Sequence, residues 1–109
     1  MWIALEVPWR IVIDGRVAFG DQDDGHWFGL SEPVDGEKRC GALLNGRTVR
    51  SIEIDEGTGD LRIMFENGAR IDGFHYSGGY EGWRAGYAVR DEKWNIIAMG
   101  GGEIAVFPG

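Results

Sequence analysis

The sequence predicts a mostly β protein: an antiparallel sheet curled into a sandwich or open barrel of about eight short strands, with at most one short helix near 37–44. Three observations carry this expectation. Apolar and polar residues alternate in short runs, as in Leu61, Ile63 and Phe65 set between Arg62, Met64 and Glu66, which is the period of a half-buried strand. Nineteen glycines fall singly or in small clusters between such runs, where they read as turns and bulges rather than as a repeat. Aromatic residues make up 12% of the chain, and Trp2, Trp9, Trp27, Trp83 and Trp94 are spread along it, so every segment brings apolar area to a core.

The opening run from Trp2 to Ile13 is extended but interrupted at Pro8, which cannot donate to a ladder and so marks an edge, a bulge or the break between two strands. Asp14-Gly15 makes a turn into the short apolar run Val17 to Phe19. An acidic loop from Gly20 to Gly25 follows, then a further strand from His26 to Leu30 and a polar loop from Ser31 to Glu37. Glu37 to Leu44 reads as two helical turns with Cys40, Leu43 and Leu44 on one side and Asn45-Gly46 as the stop signal; the competing reading is a strand entering an Asn-Gly hairpin.

Ile52 and Ile54 alternate with polar residues before the turn Glu56 to Gly59, and Leu61, Ile63 and Phe65 lead into a second turn at Asn67-Gly68. A three-residue loop of Glu66, Asn67 and left-handed Gly68 sets Phe65 opposite Ala69 and Ile63 opposite Ile71, with Arg62 across from Asp72 on the polar face and Leu61, Ile63 and Phe65 buried together. A two-residue turn would set Phe65 against Arg70 and turn an apolar set toward water, so the bulged register is preferred. Beyond a glycine-rich link, Trp83, Ala85, Tyr87 and Val89 share one face. A polar turn at Asp91 to Lys93, a strand from Trp94 to Met99, a triple glycine and a last strand from Glu103 to Phe107 complete the chain.

At 109 residues the chain reads as a single β-rich domain, 1–109, that needs neither a metal nor a disulfide to fold. Cys40 is the single cysteine, and the sequence opens with neither a charged n-region nor a long apolar h-region, so a cytoplasmic location is expected. Its apolar runs are too short to span a bilayer. Eighteen acidic against eleven basic residues give a formal net charge of −7, which repels phosphodiester backbones and argues against nucleic-acid binding, while an acidic surface speeds encounter with a basic protein.

Two acidic clusters are candidates for that surface: Asp21, Asp23 and Asp24 in the first loop, and Asp55, Glu56 and Asp60 around the second turn. The first fails as a calcium loop, because Gly25 stands where the fifth ligand of the EF-hand pattern belongs. Asp55 and Asp60 also suit turn chemistry, since aspartates bond to nearby backbone amides. His26, His75 and Cys40 fall in no recognised ligand or nucleophile pattern, so no catalytic residue, metal ligand or cofactor is assigned. Glu81, in a glycine-flanked turn before Trp83, and Glu103, directly after three glycines, read either as acceptors of backbone N–H groups or as a carboxylate pair for acid–base chemistry, the first being preferred.

Tyr80-Glu81-Gly82-Trp83, Gly101-Gly102-Glu103 and the hairpin Thr58-Gly59-Asp60-Leu61 through Phe65, with Pro8-Trp9-Arg10 upstream, resemble a family of small bacterial domains of unknown function that pairs a YExW motif with a C-terminal GGE strand. Strands begin almost at Met1, and a longer relative would carry a further N-terminal piece. Some proteins of this size and style are encoded beside secreted toxins, so the resemblance implies a toxin-immunity protein. The expected function is therefore a non-enzymatic binder of a basic partner. Two alternatives stay open: a small β-barrel enzyme or ligand-binding domain using Glu81, Glu103 or a histidine in a cavity, and a homo-oligomeric structural module.

Overall fold

The computed structural model describes residues 2–89 and 92–108. Among them the order is β1 (Trp2–Leu5), β2 (Trp9–Ile13), β3 (Arg16–Gly20), α1 (Gly36–Leu44), β4 (Val49–Ile54), β5 (Leu61–Phe65), β6 (Ala69–Gly73), β7 (Trp83–Val89), β8 (Glu92–Ala98) and β9 (Ile104–Pro108). The protein is mostly β, as expected, with one helix among the described residues and two antiparallel sheets, ordered β1-β7-β8-β9 and β3-β2-β6-β5-β4. Neither sheet closes into a barrel. The chain forms two compact units, one of Met1–Val7, Ile54–Leu61 and Gly73–Gly109 and the other of Pro8–Glu53 and Arg62–Asp72. Each draws on separate stretches, so the division has no counterpart in a boundary that can be read along the sequence.

Pro8 is where the chain leaves one sheet for the other: β1 before it pairs with β7, and β2 after it pairs with β3. Lacking an N–H, proline ends the ladder at that point.

In the first unit β7, β8 and β9 form a meander, with β7 and β8 in register from Trp83↔Ala98 to Val89↔Glu92 and β8 and β9 from Trp94↔Pro108 to Ala98↔Ile104. Glu92 and Lys93, expected in a turn, are strand residues, and Asp91 lies outside the described residues. Trp2 pairs with Gly86, and its indole covers the space a side chain at Gly86 would fill. Among the described residues of this unit, Val7, Leu61, Trp83, Ala85 and Ala98 are the buried apolar ones. Of the face expected from alternation, Trp83 and Ala85 are buried; the side chains of Tyr87 and Val89 lie outside the described ones.

In the second unit the Asp14-Gly15 turn joins β2 to β3 with both residues left-handed (φ 50° and 81°), the geometry that matches the twist of a two-residue hairpin. A bulge between Ile11 and Val12 shifts the register, so that Ile11 faces Phe19 and Val12 faces Val17. The loop between β5 and β6 is the three-residue Glu66–Gly68, flanked by Phe65 and Ala69, with Asn67 left-handed (φ 65°) as well as Gly68 (φ 79°). Leu61 and Ile63 are buried, whereas Phe65 is only half-buried. Ile52 on the edge strand β4 is exposed. Ile11, Val12, Phe19, Ile63 and Ala69 are the buried apolar residues of the second unit, with the Trp9 ring 5.7 Å from that of Phe19.

The helical reading of 37–44 holds and the hairpin alternative does not, with α1 beginning one residue early at Gly36. Asp35 caps it, Oδ1 accepting from Lys38 N at 3.2 Å, and Asp24 Oδ1 accepts from Gly36 N at 2.7 Å. At the other end Gly46 is left-handed (φ 77°), as its stop signal requires. Arg47 then ties the helix to the β5–β6 loop, donating from Nε to Leu43 O and from Nη1 to Asn67 O.

One expected strand is absent. His26 to Leu30 forms a turn, with Leu30 N donating to Trp27 O at 2.7 Å and Phe28 and Gly29 both left-handed (φ 45° and 73°). Bonds from Gly25 N to Val34 O and from Val34 N to His26 O close the loop behind it. The apolar run looked like a strand because its aromatics suit one. The glycine at 29 and the closure onto Val34 set a tight loop instead.

Candidate functional site

The acidic loop and the tight loop after it are continuous in sequence and belong to the second unit. Asp21–Asp23 form a single 3-10 turn, and Asp23 Oδ2 folds back to accept from Gly20 N at 2.9 Å. With Asp24 engaged at the start of α1, two of the three candidate aspartates hold the loop in place through one carboxylate oxygen each.

Beyond them the chain presents apolar side chains to solvent. Trp27 is 56% exposed, Phe28 65% and Leu30 59%. Among the described residues the Phe28 ring meets one other ring, the tilted imidazole of His26, with centroids 5.5 Å apart. Phe28 is also a bulky residue in the left-handed region, which costs about 1–2 kcal/mol and is rarely adopted without a compensating gain. Phe28 and Leu30 line an open groove of about 1070 Å³ together with Phe19 and Val34. Asp23, Glu32 and Asp35 stand on its loop side, and Lys38 and Arg39 on its helix side. None of Glu81, Glu103, His26, His75 and Cys40 lines this groove.

The second acidic cluster is organised around its own turn. Asp55 Oδ1 accepts from Gly57 N (2.8 Å) and Thr58 N (3.2 Å), and Asp60 Oδ1 accepts from His75 N (2.9 Å). Both aspartates fix backbone here, and Glu56 is exposed. This cluster belongs to the first unit and the Asp21–Asp24 loop to the second.

Glu81 and Glu103 are exposed, and among the described residues neither carboxylate accepts a backbone N–H, so the preferred structural reading of these side chains is not what the glycine turns use. The turns are held by Ser77, whose Oγ accepts from Gly79 N (3.1 Å) and Tyr80 N (2.8 Å), and by backbone bonds such as Gly101 N to Ser77 O. Trp83 is the anchor of this region. It is 2% exposed, and its Nε1 donates to Gly59 O at 2.7 Å. Gly102 lies against the Thr58 carbonyl, so the three motifs behind the family resemblance meet at one glycine-lined junction. His75 sits at the same junction with both ring nitrogens buried and without a hydrogen-bond partner among the described residues. Elsewhere, burial and then the nearby Asp24 charge push the Cys40 thiol up, which keeps it protonated and a weak nucleophile.

The reading of the sequence missed a charged cluster on the second sheet. Asp72 of β6 is 2% exposed and receives three arginines: Arg10 Nε of β2 at 2.9 Å, Arg62 Nε of β5 at 3.3 Å and Arg70 Nε of β6 at 3.1 Å. Since β2, β6 and β5 are neighbours, the three strands bring their guanidinium groups to one point. Arg62 had been expected across from Asp72 on a polar face; the carboxylate there is buried, covered by the arginines themselves. Burial is the largest influence on Asp72 and alone would raise its pKa. Hydrogen bonds from Arg10 and Arg70, with their charges, together outweigh it and hold the carboxyl below its ordinary value.

No family model, no curated protein and no solved structure matches the chain.

Proposed function

We propose that the protein is a non-enzymatic binding module that docks a basic protein partner through the segment from Asp21 to Asp35. The observation that carries this reading is Phe28, held in a left-handed conformation and 65% exposed, so that it costs free energy both in backbone and in hydration. A partner that buries Trp27, Phe28 and Leu30 recovers that cost, and large aromatics in a tight turn are the side chains that dominate interface energetics. Asp21, Asp23 and Asp24 lie just before them in the chain, and complementary charge on a partner would raise the association rate and orient the encounter. The motif resemblance narrows the partner class to a basic toxin, with this protein as its immunity factor.

The test uses the wild-type protein and a Phe28→Gly variant as parallel baits in extracts of the native host. The product of the neighbouring reading frame is assayed directly alongside. A basic protein retained by the wild type and lost from the variant supports the reading; identical sets on the two baits overturn it.

A further inference from the structure

We propose that the groove beside α1 receives a second copy of this chain, in a twofold dimer that covers Trp27, Phe28 and Leu30 until a basic partner displaces it. Phe19, Phe28, Leu30, Val34 and Ala42 give the groove an apolar lining. Trp27, more than half exposed, adjoins Phe28 in the chain but is not part of that lining. One short segment thus supplies both a cavity and an apolar side chain outside it, as an interface made of one patch used twice requires. Dimer formation needs no foreign molecule; that it masks the docking face rests on the function proposed above.

Charge favours a second copy as the occupant. The charged residues of the lining divide by element: Asp23, Glu32 and Asp35 come from the 3-10 turn and the loop before α1, and Lys38 and Arg39 from α1 itself. Asp21, Asp24 and Glu37 of the same stretch lie outside the lining, and Arg47 is engaged with Leu43 O and Asn67 O. Among the described residues no ion pair joins the acidic side of the groove to the basic side. A twofold axis running along the groove sets the loop of each copy over the helix of the other, so the carboxylates of each meet Lys38 and Arg39 of its mate. A second copy brings acid and base in the same proportion and answers both sides at once. The net charge of −7 on each copy opposes association at long range, which keeps the dimer weak and lets a basic protein compete for the face.

The experiment is sedimentation equilibrium of the full chain from about 1 μM to about 1 mM, in about 0.15 M salt, where screening limits the repulsion to about 8 Å. A rise toward twice the chain mass is expected. Lys38→Glu with Arg39→Glu sets acid against acid at both contacts while suiting the start of a helix, and should weaken the dimer about tenfold or more. Glu32→Lys reverses the loop carboxylate that holds no backbone N–H, and should weaken it about fivefold. Mixed in equal amounts, the two variants regain opposite charges at both contacts and should associate at least about fivefold more tightly than either alone. Arg84→Glu with Lys93→Glu makes the same change in net charge at exposed positions of the first unit, and should dimerise as the wild type does. The proposal is overturned if the wild type stays monomeric throughout, which would leave the groove to a foreign partner, if the Arg84 and Lys93 control loses as much, or if mixing restores nothing. No partner enters these measurements, so the bait experiment above bears separately on the docking reading.

Discussion

Trp83 Nε1 donates to the carbonyl of Gly59, 24 residues earlier, at 2.7 Å within the buried part of the first unit. Through this bond the indole fills core volume and also satisfies a backbone acceptor that no ladder reaches. Trp83→Phe keeps most of the apolar contact but leaves Gly59 O buried and unpaired, so a loss of about 1–3 kcal/mol is expected. Trp83→Ala adds a cavity and should cost about 3–5 kcal/mol. Urea unfolding of the two variants separates the contributions. A Trp83→Phe variant as stable as the wild type would mean that the hydrogen bond contributes nothing.

Gly102 supports the same junction by having no side chain. Its φ is 88°, and a Cβ there would lie 2.5 Å from Thr58 C and 2.7 Å from Thr58 O, backbone atoms that cannot swing aside. Gly102→Ala is expected to cost about 3 kcal/mol or more through strain and clash together. Gly78→Ala meets nothing within 4 Å and should stay within about 0.5 kcal/mol of the wild type. Thermal melts of the pair test whether the junction is a close approach of backbones or a flexible link.

Much of this fold is local chemistry and so was legible in the sequence. Asp14-Gly15, the loop Glu66–Gly68, Pro8 and the Asn45-Gly46 stop each act on the residues beside them, and each does in the structure what its residue types dictate. The arginine cluster was illegible for the opposite reason. Arg10 and Asp72 are 62 residues apart and meet only because β2 and β6 are neighbours, which no periodicity encodes. Phe28 escaped because its backbone goes against its own preference: an aromatic in an apolar run reads as strand, and the turn around it shows only once Leu30 N is seen on Trp27 O. Of the candidate site, the aspartates of the first loop are visible in the sequence, but the apolar anchors beside them suggest a strand from His26 to Leu30.

Asp72 makes a pH-dependent contribution whose sign follows from its environment. Its carboxyl is held below the ordinary value when folded, so the group stabilises the protein above the ordinary carboxylate range, and that stabilisation is lost as pH falls through the folded pKa. Asp72→Asn keeps the shape but leaves three arginines around a neutral group, and should cost about 3–5 kcal/mol at pH 7. The gap between the variants should begin to narrow as pH falls through the ordinary carboxylate range near about 4, where the unfolded chain takes up its proton, and close only below the lowered folded pKa, where the wild-type carboxyl is itself protonated. Denaturant titrations at a series of pH values provide the check; a gap independent of pH would remove the charge from the explanation.

Phe28 offers the sharpest separation of stability from binding. Glycine adopts the left-handed region without strain, so Phe28→Gly removes about 1–2 kcal/mol of backbone cost in the folded state. It also loosens the unfolded chain by a comparable amount, and little apolar contact is lost because the ring is 65% exposed. The melting temperature should therefore stay within a few degrees of the wild type. Binding should respond very differently, because the anchor is gone: a loss of about 2 kcal/mol, near thirtyfold in affinity and mostly in the dissociation rate, is expected. Converting Asp21, Asp23 and Asp24 to asparagine retains acceptors for Gly20 N and Gly36 N, and should act on the association rate and its salt dependence instead. Surface-plasmon measurements on the captured partner distinguish the two effects. If Phe28→Gly binds as tightly as the wild type, the left-handed turn is only a feature of the loop and the docking surface lies elsewhere.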